Sequence, residues 1–496
     1  MIENGVWKIA SIGLHEQYRG AYSEPGQKAP PKWDIPYHFE AAHVGLTIPA
    51  SALRATQSTN KNDSVRMAQL AGRLKRMEDE TAVQNLQHMY GYYMDRKHFD
   101  DVADLFAKGG TWQGKTDIRA SLESLYGAPA IRFGELFDHI ILGTVTTVAP
   151  DGKTAMARST ELAQVGVQGE FARWELGTYE NRFVKESGVW KLQSLNYYKR
   201  LVSNYDQGWA KQGLADFSFP AFHYPNPVTG KAPRYPKEVV QSAMVATVAT
   251  KPLQISKTDA ALLVSERAFT TAERSLARAI GVDASENLNC AYGYYLDESA
   301  WDAVADEMSN KGVFDLSSVG IYVGRERARK ALKLRYPNSG RGANFFTIHQ
   351  LVQPVTHISE DGRVARIRVR LFQGGGSANG SSASWTGGVY ENRAVFEDGE
   401  WKFYEKDLQH TFNATYKDGW GKAAAPRAAP PANTKAPAPT TTAKAKQPTV
   451  AEQFPPDMKE RTEQFAFPQV SEPSFHYLNP VSGRKPPILL EAPPIP

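Results

Sequence analysis

Apolar positions along the chain change period partway through each half, and the change happens twice. Leu86, Tyr90 and Tyr93 fall at i, i+4 and i+7, the spacing of one helix face, and Leu288, Tyr292 and Tyr295 repeat it. A second short helix fits 98–107, where Phe99, Val102, Leu105 and Phe106 share a face. Beyond it the pattern alternates, which predicts strands over 140–148, 154–165, 172–184 and 189–198. Asp151-Gly152 and Ser187-Gly188 separate these strands as hairpin turns, and Asp361-Gly362 and Asp398-Gly399 do the same in the second half. Helices first and an antiparallel meander after them read as an α+β fold.

The landmarks are duplicated in order. YGYYMD at 90–95 returns as YGYYLD at 292–297, YENR at 179–182 returns at 390–393, and GVWK at 188–191 returns as GEWK at 399–402. FHYPNPVTGKAP at 222–233 returns as FHYLNPVSGRKP at 475–486. This is a tandem repeat of one unit. Copy 1 is expected over 66–240 with its Phe-His-Tyr tail, and copy 2 over 241–420. Residues 421–465 read as a disordered Ala/Pro/Lys linker and 466–496 as the docking tail of copy 2. The stretch 421–450 holds ten Ala, six Pro and five cations and no aromatic residue, too little apolar surface to fold. Residues 1–65 read as the last strand and tail of a third, truncated unit. GVWK recurs at 5–8, Trp7 lies 15 residues before Tyr22 as Trp190 does before Tyr205, and Tyr37-His38-Phe39 stands where the tail should begin. Three explanations stay open: a fragment of a longer protein, an internal start, or an orphan strand pairing with another domain.

Charge and cysteine content narrow the function classes. The net charge is +5, and Lys422, Arg427, Lys435, Lys444 and Lys446 on the tether account for it. Nucleic-acid binding needs basic charge gathered on a folded face, so it is not expected. The single cysteine, Cys290, excludes an intrachain disulfide and a Cys-based zinc site. No run of about 18 apolar residues exists, so no membrane-spanning helix is expected. No signal peptide is visible, and one cysteine suits cytoplasm or periplasm alike; the tether has a bacterial look in composition only. HExxH, GxSxG, Walker and dinucleotide motifs are absent, and Asp, His and Glu do not gather at metal-ligand spacing, so neither metal nor cofactor is expected. Gly374-Gly375-Gly376 with the Ser-rich 377–384 reads as a mobile loop and not a phosphate cradle.

A helix ending in Tyr-x-x-x-x-Asp, an aromatic-acidic helix, a His at the head of a strand and a closing Gly-x-Trp-Lys strand together resemble the SnoaL-like branch of the NTF2-like superfamily. The resemblance covers both copies, and implies cones: curved antiparallel sheets closed by N-terminal helices around a deep apolar pocket. It also implies that the cones pack together as an internal pseudo-dimer, or that the chain forms a homo-oligomer.

Each copy offers a Tyr, an Asp and a His: Tyr90, Asp95 and His139, then Tyr292, Asp297 and His349. A neutral His accepts a proton, an Asp on its other nitrogen fixes the tautomer, and a Tyr hydroxyl assists a departing oxygen. The set is similar to that of bile-acid 7α-dehydratase, and the His-Asp pair to that of lindane dehydrochlorinase; scytalone dehydratase lies in the same superfamily. Asp95 to His139 is 44 residues and Asp297 to His349 is 52. One eight-residue insertion, equivalent to Asp315–Tyr322, absorbs the difference and predicts an extra short strand that closes the pocket of copy 2 better. Further pocket candidates are Tyr93, Trp112, Arg158, Glu161, Trp174, Tyr295, Phe314, Arg368 and Trp385. With the Asp-Gly hairpins aligned, Glu161 faces Leu371 and Thr160 faces Arg370. The shared Arg158 and Arg368 can anchor a carboxylate or phenolate, or be surface cations across from Glu180 and Glu391. The plain alternative is that Asp95 ends a helix, the histidines are satisfied strand residues and the tyrosines are core. The resemblance implies a cofactor-independent lyase, dehydratase or isomerase acting on a hydrophobic small molecule. The alternative is a non-catalytic binding or scaffolding protein.

Overall fold

The computed structural model describes residues 1–3, 6–15, 37–39, 61–209, 219–233, 241–242, 266–337, 345–377, 383–422, 448–461 and 467–491. The tether 423–447 lies outside them. At the start, β1 (Ile2–Glu3) and β2 (Val6–Trp7) pair with each other, and Trp7 is exposed. Among the described residues the Gly-Val-Trp-Lys strand therefore joins neither large sheet.

Copy 1 opens with α1 (Lys61–Asp95) and α2 (Phe99–Asp104), followed by β3 (Phe106–Trp112) and α3 (Ile118–Tyr126). The meander is β4 (Glu135–Val148), β5 (Thr154–Val167), β6 (Phe171–Glu186), β7 (Val189–Leu195) and β8 (Tyr197–Asn204). Sheet order is β3-β7-β6-β5-β4, with β8 also on β6 and β3 parallel to β7. The short pairs β9 (Phe219–Pro220) and β10 (Gln241–Ser242) follow. Copy 2 repeats the plan with α4 (Glu266–Asp297), α5 (Trp301–Asp306), β11 (Met308–Leu316), β12 (Gly320–Val323) and α6 (Arg325–Arg335). Its meander is β13 (Phe345–Ile358), β14 (Val364–Ser377), β15 (Ala383–Glu397), β16 (Glu400–Lys406) and β17 (Leu408–Thr415). The inserted strand β12 pairs antiparallel with β11, giving seven strands against six in copy 1. Both molecules of the repeat are thus α+β, as the periodicity predicts.

Local chemistry explains the shape. The closing hairpins turn through Ser187-Gly188 and Asp398-Gly399, all four at positive φ, the geometry a two-residue turn between twisted strands requires. In Tyr-Gly-Tyr-Tyr, the glycine lets the helix sit on the sheet. A Cβ on Gly91 would lie 3.1 Å from the His139 carbonyl oxygen, and one on Gly293 would lie 2.7 Å from that of His349. Gly374, Gly375 and Gly376 are not a loop. They are paired β14 residues, and a Cβ on Gly374 would lie 3.0 Å from the Trp385 ring, so the missing side chain makes room for tryptophan.

The tails strap the body. Phe475 is fully buried, stacked on Tyr93 of copy 1 with ring centroids 5.8 Å apart, while His476 Nδ1 lies 2.7 Å from Glu391 in copy 2. Residues 448–461 fold onto copy 2 as well: α7 (Val450–Gln453) starts with a Thr449 capping box, Phe454 stacks on Tyr322, and Met458 bridges Ile321.

The two copies meet head to tail. One face of α1 packs against β13 and β14: Asn85 bonds Thr356 in both directions, and the Tyr92 hydroxyl donates to the Gln353 carbonyl at 2.8 Å. Among the described residues no strand of copy 1 covers the equivalent face of α4: Tyr92 is 1% exposed and Tyr294 is 51% exposed. A two-fold pseudo-dimer would bury both, so the contact is heterologous. The contact centres on the β13 bulge between Val352 and Val355, which β4 matches between Leu142 and Val145. There Gln353 adopts a φ of 59°, where copy 1 has Gly143. Its amide donates to the His88 carbonyl at 2.9 Å and accepts from Ile141 N–H at 3.0 Å and from Arg370 Nε at 3.1 Å.

His88 makes this interface pH-sensitive. Its Nδ1 lies 2.6 Å from the Pro354 carbonyl and its Nε2 2.9 Å from Thr144 Oγ1, which the neutral ring satisfies by donating to one and accepting from the other. Burial pushes its pKa down to about 4. The folded value lies below the unfolded one, about 6.5, so the stabilisation is full above pH 6.5 and is lost as pH falls toward 4. The loss is on the order of 3 kcal/mol. His88→Gln is expected to flatten the urea-midpoint profile over that window; a slope equal to wild type would acquit His88.

Candidate active site

In copy 2 the site starts from the last residue of α4. The close approach at Gly293 brings Asp297 over β13, where its Oδ1 accepts from the His349 backbone N–H at 2.8 Å and from His349 Nδ1 at 2.8 Å. That bond assigns the Nδ1–H tautomer and leaves Nε2 as the acceptor. His349 lines a cavity of about 560 Å³, within the range of small-molecule sites. Tyr292, Tyr390, Leu371, Leu408 and Lys406 line it together with Phe314, Leu316 and Leu332. Trp301 and Tyr336, stacked at 4.7 Å, form one wall, and Gln373, Thr386, His410 and Asn413 add polar groups. Burial holds the Tyr292 phenol well above its ordinary pKa, so it stays a donor. The β11–β12 hairpin, with its outer face covered by Phe454 and Met458, backs the wall that Phe314 and Leu316 supply.

Copy 1 keeps the residues and loses the arrangement. Asp95 still accepts from the His139 backbone N–H at 2.6 Å. Its other oxygen is taken by Arg370, which reaches across from β14 of copy 2 and also approaches Asp138 at 3.5 Å. His139 Nδ1 lies 3.8 Å from Asp95 and has no hydrogen-bond partner; its ring packs edge-on against Phe137 at 4.3 Å. The interior is occupied by aromatic side chains. Trp112 Nε1 donates to the Tyr90 hydroxyl at 3.1 Å, Tyr90 packs on Tyr179, and Tyr179 packs on Tyr197 and donates to the buried Glu161. Tyr126 joins Trp112 to Phe137.

Six of the expected pocket residues stand elsewhere. Arg158 pairs with Glu180 at 2.8 Å and lies 4.0 Å from the Phe222 ring; Arg368 pairs with Glu391 and lies 3.9 Å from the Phe475 ring. Of the two readings of these arginines, the glutamate partner is the one observed, and each pair receives its tail. His223 bonds Glu180 as His476 bonds Glu391. The physical reason is strand alternation: three positions separate Arg158 from Glu161 and Arg368 from Leu371, so each pair faces opposite ways. Tyr93 meets Phe475, and Tyr295 meets Tyr37 and Phe39 at 5.0 and 5.8 Å. Trp174 and Trp385 lie 5.6 Å apart in an aromatic cluster between the copies with Tyr205, Phe372 and Trp420. Trp112 and Glu161 face the filled interior of copy 1, and Phe314 faces the cavity of copy 2.

Sequence reasoning missed Arg370, Gln353, Tyr390 and Lys406. Arg370 differs from Thr160 and Lys406 from Leu195 in the aligned copies, and that difference was the available signal. Among the described residues no group of His, Cys, Asp or Glu is arranged to hold a metal ion, and no helix is long and apolar enough to cross a membrane.

Residues 75–196 and 282–407 each match the SnoaL-like domain, together half of the chain. Among solved structures, a putative scytalone dehydratase from Novosphingobium aromaticivorans is 20% identical over 28% of this chain and 90% of its own, with a TM-score of 0.24. LinA is 15% identical over 29% of this chain and 93% of its own, with a TM-score of 0.25. A hexachlorocyclohexane dehydrochlorinase, LinA-type3 from Novosphingobium barchaimii, is 17% identical over 28% and 92%, with a TM-score of 0.25. No curated protein matches. The chain belongs to the SnoaL-like family and carries its domain twice.

The difference between an open and a filled interior is measurable. Titration calorimetry with 2-naphthol is expected to give one equivalent bound per chain, abolished by Leu371→Trp, which fills the cavity of copy 2. Two equivalents would mean that the interior of copy 1 opens in solution.

Proposed function

From a tandem SnoaL-like chain with an open pocket in copy 2, we propose a lyase that eliminates water or a halide from a hydrophobic small molecule there. One observation carries the reading: the His349–Asp297 hydrogen bond beside an open cavity of about 560 Å³ lined mainly by aromatic and aliphatic side chains. In this mechanism Nε2 of His349 removes a proton from an acidic C–H. Asp297 holds the ring in the Nδ1–H tautomer and stabilises the imidazolium that forms. The Tyr292 phenol, neutral throughout the working pH range, donates a hydrogen bond to the departing group or to a carbonyl. No step calls on a cofactor.

Copy 1 has a supporting role in this reading. Its Asp95 is engaged by Arg370, its His139 lacks the orienting bond, and its interior holds Trp112, Tyr197 and Glu161 where copy 2 has Phe314, Leu408 and Leu371 around the cavity. The binding-or-scaffold alternative fits copy 1 better than copy 2 for that reason.

A panel of hydroxylated and halogenated aromatics, followed by chromatography for the unsaturated product, tests the proposal. His349→Ala is expected to lower kcat by about 10²–10⁴, the usual contribution of a positioned base. Asp297→Asn is expected to lower it in the same direction, and His139→Ala to leave it within about twofold. Activity that survives His349→Ala and disappears with His139→Ala would overturn the assignment to copy 2.

A further inference from the structure

Copy 2 buries a polar pair that copy 1 does without, and one member of it, Lys406, lines the cavity. Lys406 ends β16 opposite Phe314 of β11, just as Leu195 ends β7 opposite Trp112 of β3. Glu307 precedes β11 and accepts the Phe403 N–H at 2.8 Å through its carbonyl, as Leu105 accepts the Leu192 N–H at 2.9 Å. Two buried leucines in one copy are therefore a lysine and a glutamate in the other, at matched points of the same fold. The fold itself does not need them there.

The surroundings of Lys406 are those of a reactive amine. The side chain is buried, lines the cavity, and its Nζ has no hydrogen-bond partner. Nζ lies 3.6 Å from the ring centroid of Tyr292, 4.2 Å from that of Tyr390 and 4.3 Å from that of Phe403. Among the described residues both carboxyl oxygens of Glu307 are buried without a hydrogen-bond partner, and its attraction for Lys406 acts without a direct ion pair and is outweighed by burial. Burial drives the Lys406 amine well below its ordinary pKa and the Glu307 carboxyl well above its own. A desolvated lysine that keeps its lone pair near neutral pH is the usual form of an imine-forming nucleophile.

We propose that Lys406 forms an imine with the substrate, and that the cavity of copy 2 accordingly takes an aldehyde or ketone with an acidic C–H beside its carbonyl. The amine adds to the carbonyl carbon, and a nitrogen proton passes to the oxygen to give a carbinolamine. The C–O bond then breaks, and the hydroxyl leaves as water with a proton from the Tyr292 phenol, which lines the same cavity. The resulting iminium acidifies the adjacent C–H. That His349 removes this proton rests on the function proposed above; imine formation does not. The electron pair forms an enamine and returns to C=N⁺ as the β-substituent leaves, as a halide ion or, with the proton held by His349, as water. Water then adds to the iminium carbon, the C–N bond breaks, and the unsaturated carbonyl compound and the free amine are released as the remaining proton returns to the Tyr292 oxygen.

Pentane-2,4-dione is the test probe, because a free amine converts it into a stable, ultraviolet-absorbing enaminone. An ordinary lysine is about one part in 2,500 free amine at pH 7. With the full chain at pH 7, peptide mapping is expected to find the adduct on Lys406 more than tenfold ahead of any surface lysine. Lys406→Leu, and the double variant Glu307→Leu/Lys406→Leu that restores the copy 1 pair, are expected to stay folded by circular dichroism and lose the adduct. His349→Ala is expected to keep it, so a failed elimination assay and a failed imine are told apart. Adducts confined to surface lysines, or a Lys406 adduct that appears only in the alkaline range of an ordinary lysine, would overturn the proposal.

Discussion

In each copy the carboxylate that ends the first helix accepts the backbone N–H of a histidine on the neighbouring strand, at 2.6 Å for Asp95 and 2.8 Å for Asp297. This bond fixes where the helix crosses the sheet, and so how the cone is closed. It requires glycine one turn earlier, because a Cβ on Gly91 or Gly293 would meet the same histidine's carbonyl oxygen. It also requires that the strand present a free N–H, which an edge strand does. β4 and β13 are both edges of their sheets. An ionised acceptor makes a short, strong bond to a backbone donor, so the contact serves as both clamp and cap.

A carboxylate has more than one acceptor site, and what occupies the rest separates the copies. Asp297 turns to its own histidine. Asp95 turns to an arginine from the other cone. Arg370 is fully buried beside Gln353, Asp95 and Asp138, and removing one partner from such a buried cluster commonly costs about 3–5 kcal/mol. The group that could orient a base in copy 1 instead holds the two domains together. The head-to-tail contact accounts for this: it buries the α1 face of copy 1, and among the described residues no strand covers the same face of copy 2. Identical residues inherited through duplication thus enter different hydrogen-bond networks, because Arg370 stands where copy 1 has Thr160.

The sequence made the architecture legible because periodicity and repeated landmarks are local. The turns, the meander, the inserted β12 and the docking of the Phe-His-Tyr tail all follow from short-range patterns compared across two copies. The Asp–His proximity was also legible, since matched spacing on a matched fold carries it. The cavity lining was not. Arg158, Arg368, Trp174 and Trp385 look like pocket residues as types, but the arginines stand an odd number of positions from Glu161 and Leu371, and Trp385 stands next to the cavity-lining Thr386, so they occupy the opposite faces of their strands. Arg370 and Gln353 act across the boundary between domains, and no pattern within one unit reports a partner in the other.

Comparison of the copies separates what the cone needs from what it carries. Positions that stay alike, such as Asp95 and Asp297 or Glu180 and Glu391, serve closure and strapping in both. Positions that differ inside the cone are under no such demand. Glu161 sits with Tyr179 and Tyr197 in copy 1, where copy 2 has Leu371 and Leu408; Lys406 and Glu307 sit in copy 2, where copy 1 has leucines. Burying an unpaired amine or acid destabilises a core unless the group gives up its charge. A chain tolerates that in one domain when its other domain, its straps and its interface are well packed. Copy 1 carries no such burden at these two positions, which are leucines, and its Asp95 is engaged by Arg370, while copy 2 buries the lysine beside its cavity.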